Sequence, residues 1–115
     1  MSAYDALLAR VSAIRGIRGA MLVSADDGLV VAESLMDGVD GRAVAALAAS
    51  LMGRLRRTTR EAGRQPPQVV HLRAERGSLL AVPAPGDVLV VAVAEGSANV
   101  GLARIEMLEL ARGLA

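Results

Sequence analysis

The chain has 115 residues and a formal charge of +1, from 13 basic and 12 acidic side chains, and 53% of it is hydrophobic. That length suits one domain with one real core, residues 1–115, and the near-zero charge argues against non-specific binding to nucleic acid. It has no Cys, a single His and no Lys, and its only aromatic residue is Tyr4, which removes disulfides, thiol nucleophiles, lysine Schiff bases, the P-loop lysine and cysteine-based zinc sites.

Tyr4, Leu7, Leu8, Val11 and Ile14 recur at helical spacing before Gly16, so the spacing predicts a first helix over about residues 3–15. Two apolar, β-branched runs follow, Ile17 to Ser24 and Leu29 to Ser34. Ala25-Asp26-Asp27-Gly28 between them supplies the turn chemistry of a β-hairpin. Leu35 to Gly41 is a connection with Asp40 as helix cap.

A long helix then reaches about Ala62, ended by Gly63 and the Pro66-Pro67 pair. Val44, Leu47, Ala48, Leu51, Leu55 and Thr59 are assigned to its core face, and Arg56, Arg60 and Arg64 to a row at i, i+4, i+8 on the other. In its first half the side opposite the assigned core line carries Ala43, Ala46, Ala49, Ser50 and Gly53, small and uncharged, and calls for cover by another helix. The uncharged stretch from Ala43 to Gly53 is too short to span a membrane.

Gln68 to Ala74, Ser78 to Val82 and Val88 to Ala94 read as a meander of three antiparallel strands, divided by Glu75-Arg76-Gly77 and by Pro83-Ala84-Pro85-Gly86-Asp87. Ser97 or Asn99 caps a last helix striped with Val100, Ala103, Met107, Leu110 and Ala111. The fold class is therefore α/β, an α-β-β-α-β-β-β-α order. Strands as apolar as Val88-Leu89-Val90-Val91 need cover on both faces, which gives a three-layer sandwich with a five-stranded antiparallel sheet.

Chemistry is scarce. His71 has no Cys or second His with which to build a metal site or a triad, and reads as a structural or interface residue. Asp26 and Asp27 precede Gly28 in a turn, which accounts for them without acid/base work. There is no GxGxxG and no GxxxxGK[ST], so no nucleotide or other cofactor is expected. The arginine set Arg54, Arg56, Arg57, Arg60 and Arg64 has two readings: a contact for an acidic protein surface or for phosphates, or a solvated helix face. The N-terminus shows no basic region followed by an apolar run, so a cytoplasmic location is expected.

Several segments together resemble the roadblock/dynein light chain family, in particular its small bacterial members. They are Gly16-Ile17-Arg18-Gly19-Ala20-Met21-Leu22-Val23, the Asp26-Asp27-Gly28-Leu29-Val30-Val31 turn and strand, and the Ala-rich helix from Gly41. Arg76-Gly77-Ser78-Leu79-Leu80 and Ala98-Asn99-Val100-Gly101-Leu102-Ala103-Arg104 complete the set. The resemblance implies a profilin-like sandwich without a shared catalytic residue, acting as a non-enzymatic scaffold and regulator of a Ras-like small GTPase of the kind used in gliding motility and polarity. It implies a homodimer or heterodimer in which third strands pair and second helices lie side by side. Carried onto this chain, Val69, Val70, His71 and Leu72 form the strand edge, and Ala46, Ala49, Ser50 and Gly53 the helix contact. Arg56, Arg60 and Arg64 then become the contact for the GTPase. The competing reading is a ligand-binding sensory domain of similar architecture, which needs a pocket with convergent polar groups.

Overall fold

A computed structural model describes residues 3–114, with the side chain of residue 3 left out. The elements follow the expected order: α1 (Ala3–Ser12), β1 (Ile17–Ser24), β2 (Val30–Leu35), α2 (Gly41–Glu61), β3 (Val70–Ala74), β4 (Gly77–Ala84), β5 (Val88–Glu95) and α3 (Val100–Gly113). All strand pairs are antiparallel, in the spatial order β2-β1-β5-β4-β3. β1, the first strand in sequence, thus lies beside the last, β5, and the two edges are β2 and β3.

Three boundaries differ from expectation by two residues or more, for local reasons. The first helix stops at Ser12 and unwinds through a turn to Gly16, whose positive φ of 88° no helix accommodates. β3 begins at Val70, so Val69 precedes the strand. β4 runs on through Pro83, opposite Leu89 of β5. Because β3 ends its pairing at Val70 opposite Ala81, Pro83 has no β3 ladder beside it to interrupt.

Both long helices are capped from their own sequence. Asp40 Oδ1 accepts a hydrogen bond from the Ala43 amide at 3.1 Å, and Asn99 Oδ1 one from the Leu102 amide at 3.0 Å. The end of α2 is a Schellman motif: Arg64 N donates to Thr59 O at 2.7 Å and Gly63 N to Arg60 O at 3.0 Å, with Gly63 at φ 70°.

α1 and α3 cover one face of the sheet. Leu8, Val11, Ala103, Met107, Leu110 and Ala111 pack there onto Ala20, Leu22, Leu80, Val82, Val90 and Ala92. α2 alone covers the other, resting Ala45, Ala48, Ala49 and Met52 on Met21, Val23, Leu79, Ala81, Leu89 and Val91. No helix among the described residues is long and apolar enough to cross a membrane.

Candidate interaction surface

Ala45, Ala48, Ala49 and Met52 recur at i, i+3, i+4 and i+7 and face the sheet, with Val44 half-buried against the same core, whereas Leu47 is exposed and Leu51 and Leu55 are only half-buried. Small residues let the helix axis settle close to the strands; beneath it the Gly28 turn lies so near that a Cβ there would meet Ala46 Cα at 3.4 Å and Ala49 Cβ at 3.5 Å. Ala49, expected from the sequence at a helix contact, is 8% exposed and packs inward onto the sheet, leaving little of it for a partner to touch. Leu47, assigned to the core, is 49% exposed and points outward with Ala43, Ala46, Ser50 and Gly53. A helix with apolar residues on all sides is the pattern of a segment covered on all sides.

One helix does not reach across five strands. At the β3 end of the α2 face, Leu72 is 42% exposed and, with Leu47, Leu79 and Val93, lines a shallow groove of 530 Å³. β3 has no strand on its outer side, so this groove opens onto an unpaired ladder edge. Of the edge residues assigned from sequence, Val69 packs against the α1/α3 core and Val70 against the α2 core. His71 and Leu72 are exposed, and His71 Nε2 lies 3.0 Å from Ser78 Oγ on the neighbouring strand. That contact ties β3 to β4 at the open sheet surface.

The arginine row is broken by the structure. Arg56 turns toward the sheet and binds Asp87 in the β4–β5 turn at 3.1 Å, so its guanidinium is engaged within the chain. Asp87 also shares a hydrogen bond with Asp26 of the β1–β2 turn, which holds the Asp87 carboxyl below its usual range, with Arg56 adding to the effect. The same contact raises the Asp26 carboxyl above its ordinary range, the nearby Asp87 charge reinforcing the shift. Ala25 N donates to Asp87 O at 2.9 Å, so two turns and the end of α2 form one knot. Arg60 remains exposed on the last turn of α2, and Arg64 lies beyond the helix end and so off the row. Arg56, Arg60 and Arg64 nonetheless border one shallow groove floored by Pro66, Pro67 and Pro83.

No group of His, Asp and Glu among the described residues is arranged to hold a metal ion, and no buried side-chain polar atom among them lacks a partner.

The profile of the Roadblock/LC7 domain matches residues 3–94. An uncharacterised protein of Methanocaldococcus jannaschii is 35% identical over 103 residues, which span 90% of this chain and 89% of that protein. Among solved structures, MglB in a tetrameric arrangement aligns with a TM-score of 0.86 at 23% identity, over 96% of this chain and 84% of that one. The gliding protein MglB of Thermus thermophilus aligns with a TM-score of 0.84 at 21% identity, over the same shares. At such identities the two structures speak for the shared fold.

Proposed function

The chain belongs to the Roadblock/LC7 domain family, and we propose that it is a non-enzymatic, dimeric scaffold and regulator of a Ras-like small GTPase, working in the cytoplasm. The observation that carries the dimer is the small, uncharged outer side of the first half of α2 beside the open edge of β3, joined by a groove in which Leu47 and Leu72 stand exposed and which Arg18, Arg76 and Glu95 rim. A second copy supplies what that surface lacks: a strand to pair with Val70, His71 and Leu72, preceded by Val69, and a helix to lie against Ala46, Leu47, Ser50 and Gly53. Isologous pairing of this kind extends the sheet and dries both helices at once. The tetrameric arrangement of MglB supports self-association in proteins of this fold.

Paired α2 helices form a ridge on one face of the extended sheet, with arginines at its ends. Arg60 and Arg64 are the proposed contacts for acidic groups of the GTPase; Arg56 is withdrawn from that role by Asp87. Such a module regulates by binding one nucleotide state of its partner more tightly than the other.

Light scattering at micromolar concentration tests the dimer, and a mass of about twice 11.8 kDa is expected. Binding of a Ras-like GTPase loaded with a GTP analogue or with GDP tests the partner, with unequal affinities as the supporting result. No binding to any Ras-like GTPase encoded beside the gene, or equal affinity for both nucleotide states, would remove the GTPase reading. The purified chain alone is expected neither to bind nor to hydrolyse GTP.

A further inference from the structure

All four prolines of the chain meet at one corner of the molecule. Pro66 and Pro67 follow the cap of α2, Pro83 lies near the end of β4, and Pro85 sits in the turn behind it. With Leu108 and Ala111 of α3 they line a groove of 660 Å³. Pro66, Pro67 and Pro83 also floor the neighbouring groove of 450 Å³ that Arg60 and Arg64 border. Pro66, Pro67 and Pro83 thus line both depressions.

The groove linings are basic on balance, although Asp26 stands behind Asp87 and Glu109 beside Arg112. The linings of the two grooves hold four arginines, Arg56, Arg60, Arg64 and Arg112, against the single carboxylate of Asp87, which Arg56 already occupies. Since the whole chain carries +1, the rest of the surface is acidic on balance. Among the described residues Arg60 and Arg64 have no carboxylate within reach, and Arg112 has only Glu109, one turn away on the exposed side of α3.

We propose that the proline-floored groove docks an extended acidic segment of another protein, one that sets an aliphatic side chain on Pro66, Pro83 and Leu108 while its carboxylates meet Arg64 and Arg112. Proline rings have fixed φ angles, so this floor loses little conformational freedom when covered. Gln65 and Gln68 stand in the same lining; each side chain both donates and accepts, which matches the alternating N–H and C=O groups of an extended backbone. Arginine is suited to bidentate capture of carboxylates. An inorganic phosphate would leave the apolar floor unused. A bilayer is a flat surface and does not enter a concave groove. The inference shares only Arg64 with the GTPase reading, and the segment need not belong to the GTPase.

The test is fluorescence anisotropy of a labelled peptide of alternating aspartate and leucine, titrated with the full chain. The variants are Arg112→Glu, which lies outside the proposed dimer and GTPase contacts, and Pro66→Glu, which borders the groove of Arg60 and Arg64 and so tests the floor only. Binding by the wild type, weakened at least about tenfold by each variant with the circular dichroism spectrum and dimer mass unchanged, is the expected result. A peptide of alternating lysine and leucine should not bind. Equal binding by wild type and Arg112→Glu, or binding of phosphatidylserine vesicles in place of the peptide, would overturn the proposal. Should Pro66→Glu fail to fold, Arg112→Glu decides alone. Unchanged GTPase binding by Arg112→Glu alongside lost peptide binding would separate this site from the GTPase contact, so the two readings stand or fall independently.

Discussion

On one face of the sheet two helices bring Leu8, Val11, Met107 and Leu110 down onto the strands, and the core there is closed within the chain. On the other, α2 alone rests three alanines and Met52 on the strands, and Leu47 and Leu72 are left half in water. The first face uses bulk to fill space between separate layers. The second uses smallness to bring one helix close, which leaves Leu47 turned outward. A face finished in the first way stabilises the fold; a face finished in the second way leaves apolar surface in water, which the proposed dimer would cover.

Substitutions can break this contrast, the deepest first. Ala49→Glu places a carboxylate between α2 and the sheet, and the chain is expected to lose on the order of 4 kcal/mol in urea denaturation, monomer and dimer alike. A folded monomer of undiminished stability would instead return Ala49 to the interface. Met107→Ala opens a cavity in the closed face and should cost about 3 kcal/mol, at every protein concentration tested. Leu47→Glu, by contrast, should leave secondary structure intact while weakening the dimer at least tenfold, about 1.4 kcal/mol, so that light scattering shows a lower mass. If Leu47→Glu unfolds the chain, the two faces are not different in kind.

The smallest effect concerns the knot at the end of α2. Asp26, whose carboxyl is held above 3.8 by its contact with Asp87, favours the folded state when protonated. Its contribution is therefore present below the unfolded value and lost as pH rises through the raised folded one. Asp87 behaves oppositely: its contribution is present above the unfolded value and disappears as pH falls through the lowered folded one. Asp26→Asn keeps a hydrogen-bond donor toward Asp87 without the second charge. A small rise in melting temperature at neutral pH, shrinking as pH falls through the raised Asp26 value, is the expected outcome. A fall at neutral pH would show that the Asp26 charge is held by Arg56 and not opposed by Asp87.

The element order, the caps at Asp40 and Asn99 and the buried stripe of α3 were legible in the sequence because each depends on residues a few positions apart. The rotation of α2 was not. Between Gly41 and Met52 only Arg42 and Ser50 are polar, so periodicity marks no unique buried side, and weighting by side-chain size selects the line of Val44, Leu47 and Leu51, on which Ala48 is the one alanine. The inward face was nonetheless present as the spacing of Ala45, Ala48, Ala49 and Met52, readable by asking which side lets a helix approach most closely. The capture of Arg56 by Asp87 joins residues 31 positions apart, and the meeting of four prolines follows from the β3–β4 pairing, which sets the residues before Val70 beside those after Ala81. Neither leaves a local trace in the chain.

The strand order carries a kinetic consequence. The β1–β2 hairpin and the β3–β4–β5 meander each close through short turns, but the central seam of the sheet joins β1 to β5, with Ile17 opposite Ala94. Closing that seam encloses α2 and most of the chain in one loop, whose entropy must be lost before the ladder that sets Met21 opposite Val91 and Leu22 opposite Val90 can form. The two halves can therefore assemble early, while their joining sets the folding rate. Until they join, the seam edges of β1 and β5 are both open, in addition to the two edges that remain in the finished sheet, and a nascent chain is most exposed to mispairing in that interval.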